Sequence, residues 1–112
     1  MTQVLQRNII NDILQWIEDN LDSKLSVDIV TQKSGYTKWH FQRLFKHHTG
    51  VTLGTYLRDR RLDSVAIALR ETSDNIIDIS FRYQFDSQQT LSKVFKLRFN
   101  MTPSQYRKRR ER

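Results

Sequence analysis

The residues best able to do chemistry cluster in one short stretch, Thr37–His48, TKWHFQRLFKHH. Helical spacing places Phe41, Leu44 and Phe45 on one apolar stripe, and Trp39, Gln42, Arg43 and Lys46 on the other side. That second face carries no acid. An amide and a guanidinium can hydrogen-bond base edges, an indole can pack on a thymine methyl, and an ammonium suits a phosphate. Arg43 is the candidate for guanine, a contact worth about 1–3 kcal/mol of discrimination. The competing reading is a solvated polar face on an ordinary surface helix. What precedes the stretch narrows the choice. A polar helix over Val27–Lys33, with Ser26 as its N-cap, leads into a tight turn at Ser34–Gly35–Tyr36. Helix, short glycine turn, then a helix with a basic readable face is the helix-turn-helix pattern.

The elements that must position this face are helical. The chain has three glycines and one proline, and strand-like alternation is absent, so the expected class is all-α with about seven helices. Residues ~4–21 put Ile9, Ile10, Ile13, Leu14, Ile17 and Leu21 on one stripe, before a break at Asp22–Ser23. Trp16 lies at the edge of that stripe and reads as core, with a phosphate contact through its indole N–H as the alternative. Gly50 suits the left-handed position after a helix. Thr52 then caps a long helix over Leu53–Arg70, with Leu53, Tyr56, Leu57, Leu62, Val65, Ala66 and Leu69 facing inward. Asp74–Asn75 is the next break, and Thr102–Pro103 opens the last helix as N-cap and N1 proline.

The chain also repeats itself. A shift of 49 aligns Val27, Val30, Thr31 and Tyr36 with Ile76, Ile79, Ser80 and Phe85. A shift of 50 aligns Phe41, Leu44, Phe45 and Lys46 with Leu91, Val94, Phe95 and Lys96, then Gly50 with Asn100, Thr52 with Thr102 and Tyr56 with Tyr106. The second turn therefore holds one extra residue. A second probe helix is expected over Ser87–Arg98, capped by Asp86 or Ser87, with Gln88, Gln89, Ser92, Lys93 and Lys96 outward. Gln89, Ser92 and Lys93 occupy the repeat positions of Trp39, Gln42 and Arg43. An incidental polar face has little reason to recur in register.

Net charge is +7 and the charge is bunched: −3 over residues 1–30, +6 over 31–61, −3 over 62–92 and +7 over 93–112. Two basic blocks between acidic stretches suggest two contacts with one polyanion. The absence of cysteine excludes disulfides and thiolate metal sites. His40, His47 and His48 lack a carboxylate at helical spacing, so no metal site is expected. No apolar run is long enough to span a membrane and the N-terminus lacks a signal-peptide pattern, which points to a cytoplasmic, nucleoid-associated protein. A glycine-rich phosphate loop and a nucleophile–base pair are also missing, so no enzyme activity and no cofactor are expected. The terminal RKRRER is a solvated tail or a non-specific phosphate contact. Arg60 and Arg61 are phosphate contacts or plain helix surface.

The runs SGYTKWHFQRLFK, ILQWIEDNLDSKLSVDIV and FDSQQTLSKVF resemble the AraC/XylS transcription activators, and within them the small MarA/SoxS/Rob branch, over about residues 9–110. The resemblance implies two helix-turn-helix subdomains, 1–51 and 73–112, joined by a linker helix, 52–72. It implies a monomer on an asymmetric double-stranded site of about two DNA turns, recruitment of RNA polymerase, and control by abundance without a small-molecule ligand, in a stress or drug-resistance regulon. Carried over by position, base readers are Trp39, Gln42 and Arg43, then Gln88, Gln89, Thr90 and Lys93. Phosphate contacts are Thr37, Lys38, Ser92 and Arg107, to which the basic faces add Lys46 and Lys96. Two positions depart from the branch. Lys93 replaces the usual arginine and lacks its bidentate fork. Gln84 stands where the turn often has glycine, which implies either a strained left-handed backbone or a turn whose extra residue removes the need. A non-specific architectural DNA binder, or a DNA-binding fragment of a larger ligand-sensing regulator, are the alternatives. The Met1 start and charged end weigh against the fragment.

Overall fold

A computed structural model describes residues 2–110, which form seven helices and no strand. These are α1 (Thr2–Asp19), α2 (Val27–Ser34), α3 (Lys38–Thr49), α4 (Leu53–Glu71), α5 (Ile76–Arg82), α6 (Gln88–Phe99) and α7 (Pro103–Arg110). Glu111 and Arg112, the end of the basic tail, lie outside the described residues. The chain divides into two compact units, residues 1–58 and 59–112.

The first unit packs Ile10, Ile13 and Ile17 of α1 against Leu25, Val30, Phe41, Phe45, Leu53 and Leu57. This is the stripe expected for α1, although the helix stops at Asp19. Asn20 ends it by donating its side-chain amide to the Trp16 carbonyl at 2.7 Å, and Leu21 reaches the core from the turn that follows. Trp16 is half-buried against the same core, with the Lys33 ammonium 5.6 Å from its ring centroid. The second unit packs Leu62, Val65, Ala66, Ala68 and Leu69 of α4 against Ile79, Phe85, Leu91 and Phe95. The division thus falls inside α4. The start of this helix has its apolar side chains in the first core and the remainder has them in the second.

The repeat seen in the sequence is a repeat of geometry. Ser26, Thr37, Asn75 and Ser87 all cap by accepting from the backbone N–H three residues on, at 3.1, 3.2, 2.8 and 3.0 Å. Each such cap contributes about 1 kcal/mol. Gly50 and Asn100 both adopt left-handed φ, 83° and 62°, and donate to the Lys46 and Lys96 carbonyls at 2.8 Å. Tyr56 meets Phe45 edge-on at 5.5 Å, and Tyr106 meets Phe95 edge-on at 5.4 Å. Among the described residues the buried polar ones, Thr31 and Ser80, are a repeat pair. Each turns its hydroxyl back onto its own helix, to Val27 O and Ile77 O, which satisfies it without a partner in the core. Thr102 and Gln105 form a reciprocal capping box at the start of α7, with Pro103 at N1.

The turns differ as the spacing requires. Gly35 (φ 81°) ends α2 and donates to Gln32 O. Its counterpart Gln84 adopts φ 70° despite its Cβ. Gln84 N–H bonds Phe81 O, and Phe85 N–H bonds Ser80 O at 2.9 Å, the paired bonds of a Schellman end. The chain therefore keeps the left-handed position at a cost of about 1–2 kcal/mol. The extra residue is Asp86, which lies after the turn and so does not relieve it.

Candidate nucleic-acid interface

The α3 face is built from the turn outward. Phe41 and Phe45 are fully buried and fix the roll of the helix. Trp39, Gln42, Arg43 and Lys46 are consequently exposed. Trp39 keeps 68% of its surface in solvent, a costly position for an indole with no partner. It has one within the helix, the Arg43 guanidinium, 4.6 Å from its ring centroid. Thr37 faces solvent as the cap, its oxygen accepting from His40 N–H while its own hydroxyl proton remains for an acceptor outside. The His40 ring rests edge-on against Tyr36 at 4.9 Å.

Lys38 is not a free cation. Asp28, in the first turn of α2, reaches across the turn to its ammonium at 2.8 Å. Both groups are well exposed, so the pair is worth little, and phosphate can compete for the lysine. The side chains α3 itself presents carry no acid, but its neighbour supplies one.

The α6 face is held by the same logic. Leu91 and Phe95 are fully buried, leaving Gln89, Thr90, Lys93 and Lys96 exposed and Gln88 and Ser92 half-exposed. The cap is Ser87, which also donates to the Thr90 hydroxyl at 3.0 Å. Among the described residues no aromatic ring accompanies Lys93.

Arg107 is engaged within the second unit. It lies half-buried, with Nε donating to Leu69 O at 3.2 Å and Nη2 to Thr72 O at 3.3 Å. These carbonyls end α4, where a cation is favoured by the helix dipole. Arg60 bonds Asp63 at 2.7 Å, while burial pushes the Arg61 guanidinium below its ordinary range.

An ion-pair cluster escaped the sequence reading. Arg98, at the end of α6, donates through Nε and Nη2 to Asp63 Oδ1 at 3.0 and 2.8 Å and lies 3.4 Å from Asp59. It ties α6 to α4 in the second unit. Two aspartates at i, i+4 on α4 were its only sequence signal. On α5, Arg82 pairs with Asp74 at 2.8 Å and holds that carboxyl below the usual range. No helix among the described residues is long and apolar enough to cross a membrane.

With this geometry, two helices on one chain each offer amides and cations beside a cap and a left-handed turn. Residues 30–109 match a family model described as a helix-turn-helix domain. The transcriptional regulator Rob of Salmonella typhimurium is 51% identical over 95% of this chain, which spans 37% of Rob's length. The multiple antibiotic resistance protein MarA of Salmonella typhimurium is 49% identical over 88% of this chain and 77% of its own. A solved transcriptional regulator with an AraC-type DNA-binding domain, from Chromobacterium violaceum, superposes with a TM-score of 0.83 at 27% identity, covering 92% of each chain. The chain belongs to the AraC-type helix-turn-helix family of DNA-binding transcription regulators, in the branch that holds MarA and Rob.

Proposed function

We propose that this protein binds an asymmetric double-stranded DNA site as a monomer and activates transcription there by recruiting RNA polymerase. α3 reads one half-site in the major groove through Trp39, Gln42 and Arg43. α6 reads a second through Gln88, Gln89, Thr90 and Lys93. Thr37, Lys38, Lys46, Ser92 and Lys96 hold phosphates and set the register without specifying sequence. Arg107, the remaining phosphate candidate, also holds the end of α4 through two carbonyl bonds. One observation carries this reading: two helices with equivalent caps, cores and turns present different side chains at matching positions. Unequal readers on one chain suit an asymmetric site, which a single copy can fill. The antibiotic-resistance name of MarA supports a stress or drug-resistance regulon.

The test is selection of binding sites from random duplex DNA, run with the full chain and with Arg43→Ala. The expected result is an asymmetric motif with two half-sites, one of which loses information at a single base pair in the variant. A palindrome would mean a dimer, and no motif at all a non-specific binder; either would refute the proposal. Transcription in vitro from the selected site, with and without purified polymerase binding in a gel shift, separates recruitment from DNA binding alone.

A further inference from the structure

We propose that Trp39 is a positioning residue for Arg43: the indole fixes the plane of the guanidinium and so sets which base that arginine accepts. The inference rests on the proposal that α3 reads base pairs and adds to it a division of labour within the helix.

The two side chains stand one helical turn apart, at i and i+4, where they meet on the helix surface. The guanidinium carbon is 4.6 Å from the indole centroid, inside the range over which the ring attracts a cation. Stacking uses the faces of the guanidinium and leaves its N–H edges untouched. Those edges are what a guanine O6/N7 pair accepts. Other cations on the chain are spent differently: Lys38 on Asp28, Arg82 on Asp74, Arg98 on Asp59 and Asp63, and Arg107 on two carbonyls. Arg43 has no hydrogen bond or ion pair among the described residues, so the Trp39 ring is the contact that can orient its guanidinium.

A free arginine must surrender several rotatable bonds to form a two-pronged contact. One stacked in advance surrenders fewer, and the correct base gains more from it than the wrong one. The ring itself is oriented by little else, since it is mostly in solvent. Its exposure is therefore consistent with a platform rather than a misplaced core residue. The matching positions of α6, Gln89 and Lys93, have no such platform.

The experiment is a double-mutant cycle on the full chain. Affinities of Trp39→Ala, Trp39→Phe, Arg43→Ala and the Trp39→Ala/Arg43→Ala double variant are measured on duplexes carrying each base at every position of the selected site. Trp39 is exposed, so helicity by circular dichroism should be unchanged. The expected result is that Trp39→Ala lowers preference about two- to fivefold at the base pair lost in Arg43→Ala. The loss should be absent from the double variant relative to Arg43→Ala, and Trp39→Phe should restore most of it. A Trp39→Ala variant that binds more weakly but keeps full preference at that base pair, or whose effect there adds to that of Arg43→Ala, overturns the positioning role. If Arg43→Ala itself changes preference nowhere, the base-reading proposal beneath it falls instead.

Discussion

Gln84 offers a direct test of how the second unit is put together. It sits at φ 70° where the equivalent Gly35 sits at φ 81°, so one backbone geometry is occupied by two residue types. A side chain in this region costs about 1–2 kcal/mol through Cβ and carbonyl crowding. Replacing Gln84 by glycine removes that cost, but the more flexible unfolded chain takes back about 0.5–1 kcal/mol. The exposed bond from Gln84 Nε2 to Arg82 O, at 3.1 Å, is also lost and subtracts less. Gln84→Gly is therefore expected to stabilise the second unit by about 0.5–1 kcal/mol, a rise in midpoint of several degrees for a unit of this size. Gly35→Gln supplies the reverse experiment. A Cβ built there meets nothing within 4 Å, so its cost is conformational alone and should be of similar size and opposite sign. Calorimetry and urea titrations followed by circular dichroism measure both. Trp16 and Trp39 lie in the first unit, so tryptophan fluorescence follows the Gly35 change separately. A Gln84→Gly protein that is no more stable, or a Gly35→Gln protein that loses nothing, would refute the strain argument.

Further outcomes can be checked on the same protein. Lys46→Ala should weaken binding evenly across DNA sequences and reduce the slope of log K against log salt by about 0.9, leaving base preferences as they were; a change in preferred sequence would make Lys46 a base contact. Arg98→Ala should destabilise the second unit by about 1 kcal/mol, given two charge-assisted bonds to a carboxylate that is about a quarter exposed, seen as a lower calorimetric midpoint. The Asp74 carboxyl is held low first by its hydrogen bond to Arg82. Its contribution is thus fully present above the ordinary aspartate range and disappears as pH falls through the depressed folded value. Asp74→Asn should remove that acid-side dependence, which a carboxyl NMR titration paired with acid unfolding would reveal.

Much of the candidate interface was legible because its determinants are local. Phe41 and Phe45 at i, i+4 decide which side of α3 is exposed, and Leu91 and Phe95 do the same for α6. Ser26, Thr37, Gly50 and Thr102 mark helix ends by their own hydrogen-bonding capacity or backbone freedom. Asp86 and Ser87 were both possible caps, and the backbone N–H of Thr90 meets Ser87. The division of α4 between cores was not legible, because its inward residues form one stripe in the sequence, whereas Leu53 and Leu57 belong to one core and Leu62, Val65 and Leu69 to another.

The sequence by itself determined the class, the seven helices and the doubled helix-turn-helix, since periodicity, capping and left-handed turns act within a few residues. Only the tertiary structure decided the fate of each charge. Lys38 meets Asp28 ten positions away, Arg98 meets Asp63 thirty-five away, and Arg107 meets the carbonyl of Leu69 thirty-eight away. A cation's type and helical face are written locally, but the acid or carbonyl that engages it arrives from another element. Which cations remain open to a polyanion is therefore settled by packing.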